Sequence, residues 1–346
     1  MRADRYYPGF RAGKRTLQWY PDDFVPANLP LDTGRIWYVD GDKTTGGAGA
    51  SWSDAFAESD FDGNLSGMSS SIAAGDIIYV AARTMAVTDT DPISYTENLV
   101  INTPQLSIIG VSRGRTQGGL PQLKVGSTTT SPIIQIKAPG VLIANIGING
   151  AGATGGGIEL YDDGGSTAAA FGWTVANCHF KNCKGTDATD AETGAAIQWS
   201  TNGGAWQGLV SGCRFYKNVG DISLPDGAST IPQDIVIENC EFSGPAGSVD
   251  CNIYTGTGGI DGLVIRDSTF SAKPAITSGE TALYLQLTGS VGILAHCYFA
   301  HICDTTGTQG TFAASGTYAY VPATVFIVDC HGETTTADKA GEIIRT

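Results

Sequence analysis

The sequence predicts an all-β solenoid in which short parallel strands stack in successive coils. Three observations predict this fold class: a unit that recurs about every 30 residues, an alternation of apolar and polar positions within each unit, and a composition suited to strands and turns. The chain of 346 residues contains 47 glycines, only 16% charged residues and 42% hydrophobic residues, enough for a large core.

The recurring unit has the pattern apolar-x-apolar-x-x-Cys-x-Phe. Its copies are WTVANCHFKNC at 173–183, GLVSGCRFYKNV at 208–219, DIVIENCEFSGP at 234–245, GLVIRDSTFSAK at 262–273, VGILAHCYFAHIC at 291–303 and TVFIVDCHGE at 324–333. The aligned cysteine position is occupied by Cys178, Cys213, Cys240, Ser268, Cys297 and Cys330, at steps of 35, 27, 28, 29 and 33 residues. An earlier segment, VLIANIGING, fits with Ile146 and Ile148 in the Cys and Phe places.

Each unit predicts a short strand that is buried on one face and is followed by a bend in the chain. One such strand cannot bury its apolar face alone, but coils stacked along an axis place every apolar side chain beneath its counterpart. Phe180, Phe215, Phe242, Phe270 and Phe299 would then form an internal column, which Gly332 ends.

The stacking also accounts for the cysteines, because a reduced cysteine packs as a small buried hydrophobic residue. Ser268 and Ile146 share the cysteine position, which favours packing over disulfides or a metal site, since those require pairs. Cys183 and Cys303 stand outside the column, and a cross-link there stays open.

Asparagines stand at or near the bends of two of the units. Asn177, Asn182 and Asn239 are short amides that accept the left-handed backbone conformation and bond to nearby backbone. We interpret them as turn residues.

Charge is distributed unevenly along the chain, whose net charge is −14. The first 15 residues carry five basic residues against one acidic residue, which gives +4 and leaves −18 for the remainder. The acidic body argues against a general nucleic-acid partner, because phosphate binding needs a surplus of Lys and Arg. No apolar run approaches the roughly 20 residues of a membrane span, and the N-terminus lacks the apolar stretch of a signal peptide, so we expect neither classical secretion nor membrane insertion.

Residues 1–34 precede the repeat and form a predicted N-terminal arm with four prolines. We expect the arm to dock on a partner surface, because aromatic side chains beside Arg and Lys are good anchors. The alternative is that it folds back over the first coil. The predicted docking residues are Arg2, Arg5, Tyr6, Tyr7, Phe10, Arg11, Lys14, Arg15, Trp19 and Tyr20.

From Arg35 onward the chain resembles the pectate-lyase-like superfamily of right-handed parallel β-helices. The resemblance is carried by RIWYVDG at 35–41, SWSDAF at 51–56, SIAAGDIIYVAART at 71–84 and YTENLVI at 95–101. It implies an N-terminal cap and first strands over 35–76 and a parallel β-helix over 77–346. It covers about 300 residues and concerns architecture and capping, so it does not transmit an activity.

The active-site motifs of that superfamily's enzymes are mostly missing. The polygalacturonase branch has an Asn-x-Asp, a paired Asp, a Gly-His-Gly and an Arg-x-Lys; here Asp162 and Asp163 are adjacent, but the last two motifs are absent. We interpret the aspartate pair as an exposed turn. No carboxylate set of the calcium-binding pectate-lyase kind aligns, and we predict no catalytic residue and no cofactor.

Two loops hold weaker candidates for binding. Asp187, Asp190 and Glu192 are hard oxygen donors, but their spacing matches no EF-hand and favours a solvated acidic insertion over a metal site. Trp199 and Trp206 flank a glycine-rich loop, where they would either stack on sugar rings or pack against the solenoid.

The histidines His179 and His296 flank column cysteines, so alternation points them outward and away from the thiols. A Cys–His catalytic pair would need an exposed thiol beside the imidazole and is not expected.

A basic aromatic arm, an acidic β-helix and the missing catalytic motifs together resemble phage virion proteins of the tailspike or head-decoration type. The resemblance implies a structural protein on the virion surface, attached to other virion proteins through its arm, projecting as a homotrimer and binding host polysaccharide. We expect it to lack catalytic activity. The alternative is a polysaccharide lyase or glycoside hydrolase, whose catalytic carboxylates would come from adjacent coils. A third hypothesis is a bacterial surface adhesin.

Overall fold

The computed structural model confirms a parallel β-helix that is almost entirely β. It describes residues 34–62, 65, 67–86, 88, 92–96, 98–111, 119–124, 130–150, 155–165, 168–184, 194–243, 251–270, 283–299, 312–313, 319–333 and 340–342. In these residues three sheets of ten, nine and ten strands run along the solenoid, and helix is limited to two 3-10 turns, Trp52–Asp54 and Glu58–Asp60.

Sheet A takes the first strand of each coil, and all its neighbours pair in parallel. Its strands, in spatial order, are β1 Ile36–Val39, β2 Ile77–Ala81, β5 Ser107–Val111, β8 Leu142–Ala144, β11 Thr174–Ala176, β14 Leu209–Ser211, β17 Val236–Glu238, β20 Asp261–Arg266, β23 Val291–Ala295 and β27 Val325–Val328.

Sheet B takes the second strand of each coil. Its strands are β3 Ser94–Thr96, β6 Gln122–Lys124, β9 Gly147–Asn149, β12 His179–Lys181, β15 Arg214–Tyr216, β18 Glu241–Ser243, β21 Thr269–Phe270, β24 Tyr298–Phe299, β28 His331–Glu333 and β29 Ala340–Glu342. Only its last pair, β28 with β29, is antiparallel.

Sheet C takes the third strand. Its strands are β4 Leu99–Ile101, β7 Ile134–Ile136, β10 Ile158–Leu160, β13 Ile197–Trp199, β16 Ile222–Ser223, β19 Cys251–Tyr254, β22 Leu283–Gln286, β26 Ala319–Tyr320 and β25 Phe312–Ala313. Its inward positions are apolar and stack in register, as in Ile158 beside Ile197.

The interior consists of the predicted columns. Phe180, Phe215, Phe242, Phe270 and Phe299 are fully buried and stack face over face, with successive ring centroids 5.0, 4.8, 4.6 and 4.6 Å apart. These separations follow the strand spacing of about 4.8 Å, so the backbone ladder itself sets the stacking distance.

The cysteine column is reduced and buried, as predicted. All seven described cysteines are free and buried, Cys183 among them, while Cys303 lies outside the described residues. The thiol of Cys240 points to the carbonyl oxygen of Glu238 at 3.2 Å, and in the next coil the Ser268 hydroxyl donates to the Arg266 carbonyl oxygen at 2.9 Å. A hydroxyl therefore finds a partner at this position, which explains why serine replaces cysteine there.

The turn from sheet A to sheet B uses the left-handed conformation at one position in successive coils. Asn177 and Asn239, both predicted as turn residues, have φ angles of 51° and 53°, and Asn145 has 55°. The side-chain amide of Asn177 donates to the side-chain oxygen of Asn145 in the preceding coil. Asn182, at the turn that leaves sheet B, has a φ of 54°, so the asparagine prediction is confirmed.

At the N-terminal end, Asp76 organises the start of the first coil. Its buried carboxylate accepts hydrogen bonds from the Arg35 backbone N–H at 2.6 Å, the Trp37 indole N–H at 2.7 Å and the Ala73 backbone N–H at 2.8 Å. Three donors on one carboxylate join β1 to the segment that leads into β2. The buried side chains of Phe56 and Phe61 extend the core at this end.

The phenylalanine column supplies a stability prediction. Replacing Phe242 with alanine removes a ring that is stacked on both sides, and we expect a loss of about 3–5 kcal/mol in the free energy of unfolding. Urea denaturation followed by circular dichroism measures this loss. Tyr216→Ala is the matched control, because Tyr216 is 40% exposed on the outer face of the same sheet. A loss below about 1 kcal/mol for the Phe242 variant would contradict tight stacking.

Candidate functional site

A ridge of exposed apolar side chains runs along the turns that connect sheet C to sheet A. Phe171, Trp206 and Ile231 come from three successive coils and are 44%, 36% and 41% exposed. We call these three residues the aromatic ridge. The Gly172 backbone N–H donates to the Trp206 carbonyl oxygen at 2.8 Å, so Phe171 and Trp206 occupy equivalent places on neighbouring coils.

Two buried tryptophans hold the backbone that presents Trp206. The indole N–H of Trp173 donates to the Ala205 carbonyl oxygen at 2.8 Å, and that of Trp199 donates to the Gly204 carbonyl oxygen at 3.1 Å. The Trp173 and Trp199 rings meet edge to face with centroids 5.9 Å apart. Gly204 and Ala205 have φ angles of 63° and 52°. A non-glycine residue in this conformation is unfavourable, so the indole bonds stabilise a shape that the loop would not adopt alone.

The Trp206 side chain is itself anchored. Its indole N–H donates to the Ile231 carbonyl oxygen in the next coil at 3.2 Å. One edge of the ring is thereby fixed against the solenoid, and about a third of the side chain is exposed to solvent. A rigid aromatic surface binds a ligand at low entropic cost, because little rotamer freedom is left to lose.

Polar groups lie in the segments beside the ridge. The Asn202 amide donates to the Asp162 carbonyl oxygen at 2.9 Å. Asp163 is half-buried and accepts the Gly165 backbone N–H at 2.8 Å. Asp162 accepts the Gly164 backbone N–H at 2.7 Å. The aspartate pair does form a turn, but the prediction that this turn is exposed is wrong for Asp162, which is only 4% exposed.

The structure separates the two tryptophans that the sequence grouped. Trp199 is 1% exposed, so of its two alternatives the structure supports packing, and its indole supports the loop from within. Trp206 lies at the surface, and glycan binding there stays a prediction. Phe171 is not among the residues predicted from the sequence. Phe171 and Trp206 both precede a column cysteine by seven residues, Cys178 and Cys213 respectively, and this shared offset is the signal that would have found it.

Several predicted residues lie outside the described part of the chain. They are the docking residues of the arm, Arg2, Arg5, Tyr6, Tyr7, Phe10, Arg11, Lys14, Arg15, Trp19 and Tyr20, and the acidic loop residues Asp187, Asp190 and Glu192. Among the described residues, no cluster of His, Cys, Asp or Glu has the arrangement of a metal site. No described helix is long and apolar enough to cross a membrane.

One carboxyl group, that of Asp221, is deeply buried beside sheet C. Burial raises its pKa to about 7, and this effect outweighs two hydrogen bonds that lower the pKa. These bonds come from the side-chain amides of Asn218 at 2.9 Å and Asn252 at 2.7 Å. A pKa near neutrality is typical of acid–base catalysts. Both oxygens of Asp221 are engaged inside the protein, however, so the geometry is that of a structural polar cluster.

His179 and His296 point away from the neighbouring column thiols, as the alternation predicts. His179 is on the outer face of sheet B, and burial together with Arg214 and Lys181 lowers its pKa to about 4. His296 is exposed between Asp267 and Asp329, each 3.7 Å from one of its ring nitrogens. The thiol of Cys178 is buried and points to the Ala176 carbonyl oxygen at 3.4 Å, which rules out a Cys178–His179 catalytic pair in this conformation.

Comparison with known proteins identifies similar folds only. No family model matches the chain. No curated protein matches it in sequence. Similar solved structures include a pectin methylesterase from Aspergillus niger, at 13% identity over 88% of each chain with a TM-score of 0.44. A pectate lyase has 12% identity over 90% of this chain and 82% of its own, with a TM-score of 0.44. A rhamnogalacturonan lyase has 12% identity over 90% of each chain and a TM-score of 0.37. At these values the similarity does not extend to activity.

The Asp221 cluster predicts a pH-dependent stability. Because the folded pKa of Asp221 lies above its ordinary value of 3.8, the folded state binds more protons between about pH 4 and pH 7. This group therefore makes stability fall as pH rises through that window. Asp221→Asn should remove this contribution and stabilise the protein above pH 7, since one pKa unit corresponds to about 1.4 kcal/mol. The Asn252 amide now donates to Asp221, and its buried oxygen has no hydrogen-bond partner in the described structure; once the Asn252 amide turns over, this oxygen can accept from the new amide.

Thermal and urea unfolding from pH 4 to pH 8 measure this dependence. Asp226→Asn, which changes an exposed carboxylate, is the matched control. A variant at position 221 whose stability follows the same pH curve as the wild type would show that Asp221 is not the group responsible.

Proposed function

We propose that this protein is a structural solenoid of a phage virion that binds a neutral host-surface glycan along the aromatic ridge and is attached to the particle through its N-terminal arm. The observation that carries the glycan-binding part is the ridge itself: Phe171 and Trp206 are exposed at equivalent places on adjacent coils, and buried tryptophans support the loop.

The chemistry of the ridge suits a sugar chain. Exposed aromatic faces pack against the apolar C–H faces of pyranose rings, and the polar groups of Asp163 and Asn202 are suited to hydroxyl groups. Adjacent coils repeat about every 4.8 Å, so the ridge offers a linear series of contacts to a linear polymer. The surface of an acidic protein with a net charge of −14 disfavours polyuronates and therefore favours a neutral glycan.

Binding without cleavage is favoured by the state of two carboxyl groups, those of Asp221 and Asp162. Glycoside hydrolysis needs two accessible carboxyl groups at a defined separation across the scissile bond. Asp221, whose pKa of about 7 would suit a general acid, is buried and hydrogen-bonded to two amides. Asp162, next to the ridge, is buried and bonded to the Gly164 backbone.

Attachment through the arm is supported by the charge of its first 15 residues, which is +4, and by the aromatic composition of residues 1–34. The basic, aromatic head contrasts with the acidic remainder, which is the distribution expected when one end docks and the other projects. Arm docking and glycan binding are separable, and each has its own experiment.

Glycan binding predicts a loss on removing either aromatic ring of the ridge. Against purified neutral and uronate-containing bacterial surface polysaccharides, the wild type should bind a neutral glycan. Trp206→Ala and Phe171→Ala should each weaken binding about tenfold, or ~1.4 kcal/mol. Trp52→Ala is the matched control, since Trp52 is an aromatic residue with 39% exposure in the N-terminal segment. Calorimetry or immobilised-glycan binding provides the measurement, and equal affinity of all four proteins would refute the ridge as the site.

Attachment predicts that a chain shortened to residues 35–346 remains folded but no longer enters particles. Circular dichroism and thermal unfolding test the fold, and co-purification with assembled particles tests incorporation. Normal incorporation of the shortened chain would exclude the arm as the attachment device. Failure to fold would instead support the alternative that residues 1–34 cover the first coil.

A further inference from the structure

Asp162 lies between the two loops that present the aromatic residues of the ridge. It pairs with Ala169 in an antiparallel bridge, and Phe171 follows this short hairpin two residues later. On the next coil, Asp162 lies against Gly204, which stands two residues before Trp206. A ligand that contacts both aromatic rings would therefore pass close to this carboxyl group.

The backbone of Asp162 is fixed to the next coil on both sides of its Cα. Its N–H donates to the Ser200 hydroxyl oxygen at 3.1 Å. Its carbonyl oxygen accepts from the Ser200 hydroxyl at 3.2 Å and from the Asn202 side-chain amide at 2.9 Å. The residue as a whole is only 4% exposed. A polar group held in this way can contact a ligand with little further loss of conformational freedom.

The two carboxylate oxygens of Asp162 have different surroundings. Oδ1 accepts the Gly164 backbone N–H at 2.7 Å. Oδ2 has no hydrogen-bond partner within the described structure. It is nevertheless not among the unpaired polar atoms that are fully buried there, which are Arg83 Nε, Ser223 Oγ and Asn252 Oδ1. Oδ2 therefore reaches solvent, as the one unsatisfied acceptor of a side chain that is otherwise enclosed.

Gly204 lets this carboxylate lie close against the loop that carries Trp206. A Cβ at position 204 would stand 2.0 Å from Oδ2 of Asp162, so any other residue there would force the carboxylate to move. The φ angle of 63° at Gly204 also favours glycine. The glycine-rich loop thus brings a hydrogen-bond acceptor beside the aromatic ridge.

We propose that Asp162 binds the hydroxyl groups of the glycan on the aromatic ridge and excludes glycans that carry carboxylates. This selectivity rests on the proposed glycan binding and identifies the residue that distinguishes one glycan from another. An ionised carboxylate oxygen accepts hydrogen bonds and donates none, so its partner must be a donor such as a sugar hydroxyl. A uronate carboxylate in the same place would set two like charges side by side with no donor between them.

A local carboxylate and the net charge of the protein lead to different expectations in salt. The repulsion from a net charge of −14 acts over long distances, and salt screens such interactions beyond roughly 10 Å at 0.1 M. A contact between two groups in a mostly enclosed site is screened much less. If Asp162 selects the glycan, the preference for a neutral glycan should therefore persist at high salt.

A matched pair of glycans tests this selection. One probe is the neutral polysaccharide that the wild type binds, and the other is the same polysaccharide after its C6 hydroxymethyl groups have been oxidised to carboxylates. By calorimetry, the wild type should bind the oxidised form about a hundredfold more weakly, at low and at high salt. Asp162→Asn should bind the neutral form about tenfold more weakly and the oxidised form about tenfold more tightly, so that the preference disappears.

Asp226→Asn is the matched control, because it removes the same single charge from an exposed carboxylate and should leave the preference unchanged. Circular dichroism and thermal unfolding confirm that each variant is folded. The salt series on the wild type needs no variant, and a preference that vanishes at high salt overturns the selection by Asp162.

A preference that Asp162→Asn leaves unchanged, in a protein whose glycan binding Trp206→Ala weakens, overturns the role of Asp162 and leaves the ridge intact. A wild type that binds neither form of any glycan overturns the ridge as a binding site and the role of Asp162 together. The two failures are therefore distinguishable.

Discussion

The structure depends on one constraint, the in-register hydrogen bonding of each coil to the next. Parallel pairing at about 4.8 Å fixes which residue lies above which, so a side chain that is large and flat must recur at the same level or leave a cavity. The phenylalanine column meets this condition with nearly parallel rings, and the cysteine column does so with small side chains. Ser268 is tolerated because its hydroxyl reaches a backbone carbonyl.

The same constraint transfers order from the interior to the surface. Once the coils are in register, their turns are too, and equivalent turn residues form columns of their own. Trp173 and Trp199 extend this order to the glycine-rich loop by donating to its carbonyl groups from inside. Phe171 and Trp206 therefore lie at matching positions on neighbouring coils, which suits a ligand that is itself a repeating polymer.

Different faces of the solenoid thus acquire different chemistry from one repeat. The turns from sheet C to sheet A expose Phe171 and Trp206, the C-terminal strands of sheet A expose apolar side chains such as Phe326, and sheet B carries the Arg214–Glu241 ion pair. Glycan binding and docking by the arm would then use separate surfaces without competing. Such separation is a common advantage of solenoids, in which neighbouring faces vary while the core is held constant.

The sequence by itself determined the fold class, the columns, the reduced cysteines and the turn asparagines, because these are local patterns repeated at nearly constant spacing. It could not show that Trp199 is buried inside the solenoid while Trp206 is exposed on its surface. Both residues flank the same loop, and only the path of that loop distinguishes them. Nor could it reveal that Asp221 meets Asn252, or that Phe171 lies beside Trp206. Those contacts join successive coils some 30 residues apart, and insertions of varying length between the repeats obscure the register until the backbone ladder aligns them. Tertiary structure therefore decided the candidate site, because a site built across coils exists only once the coils have stacked.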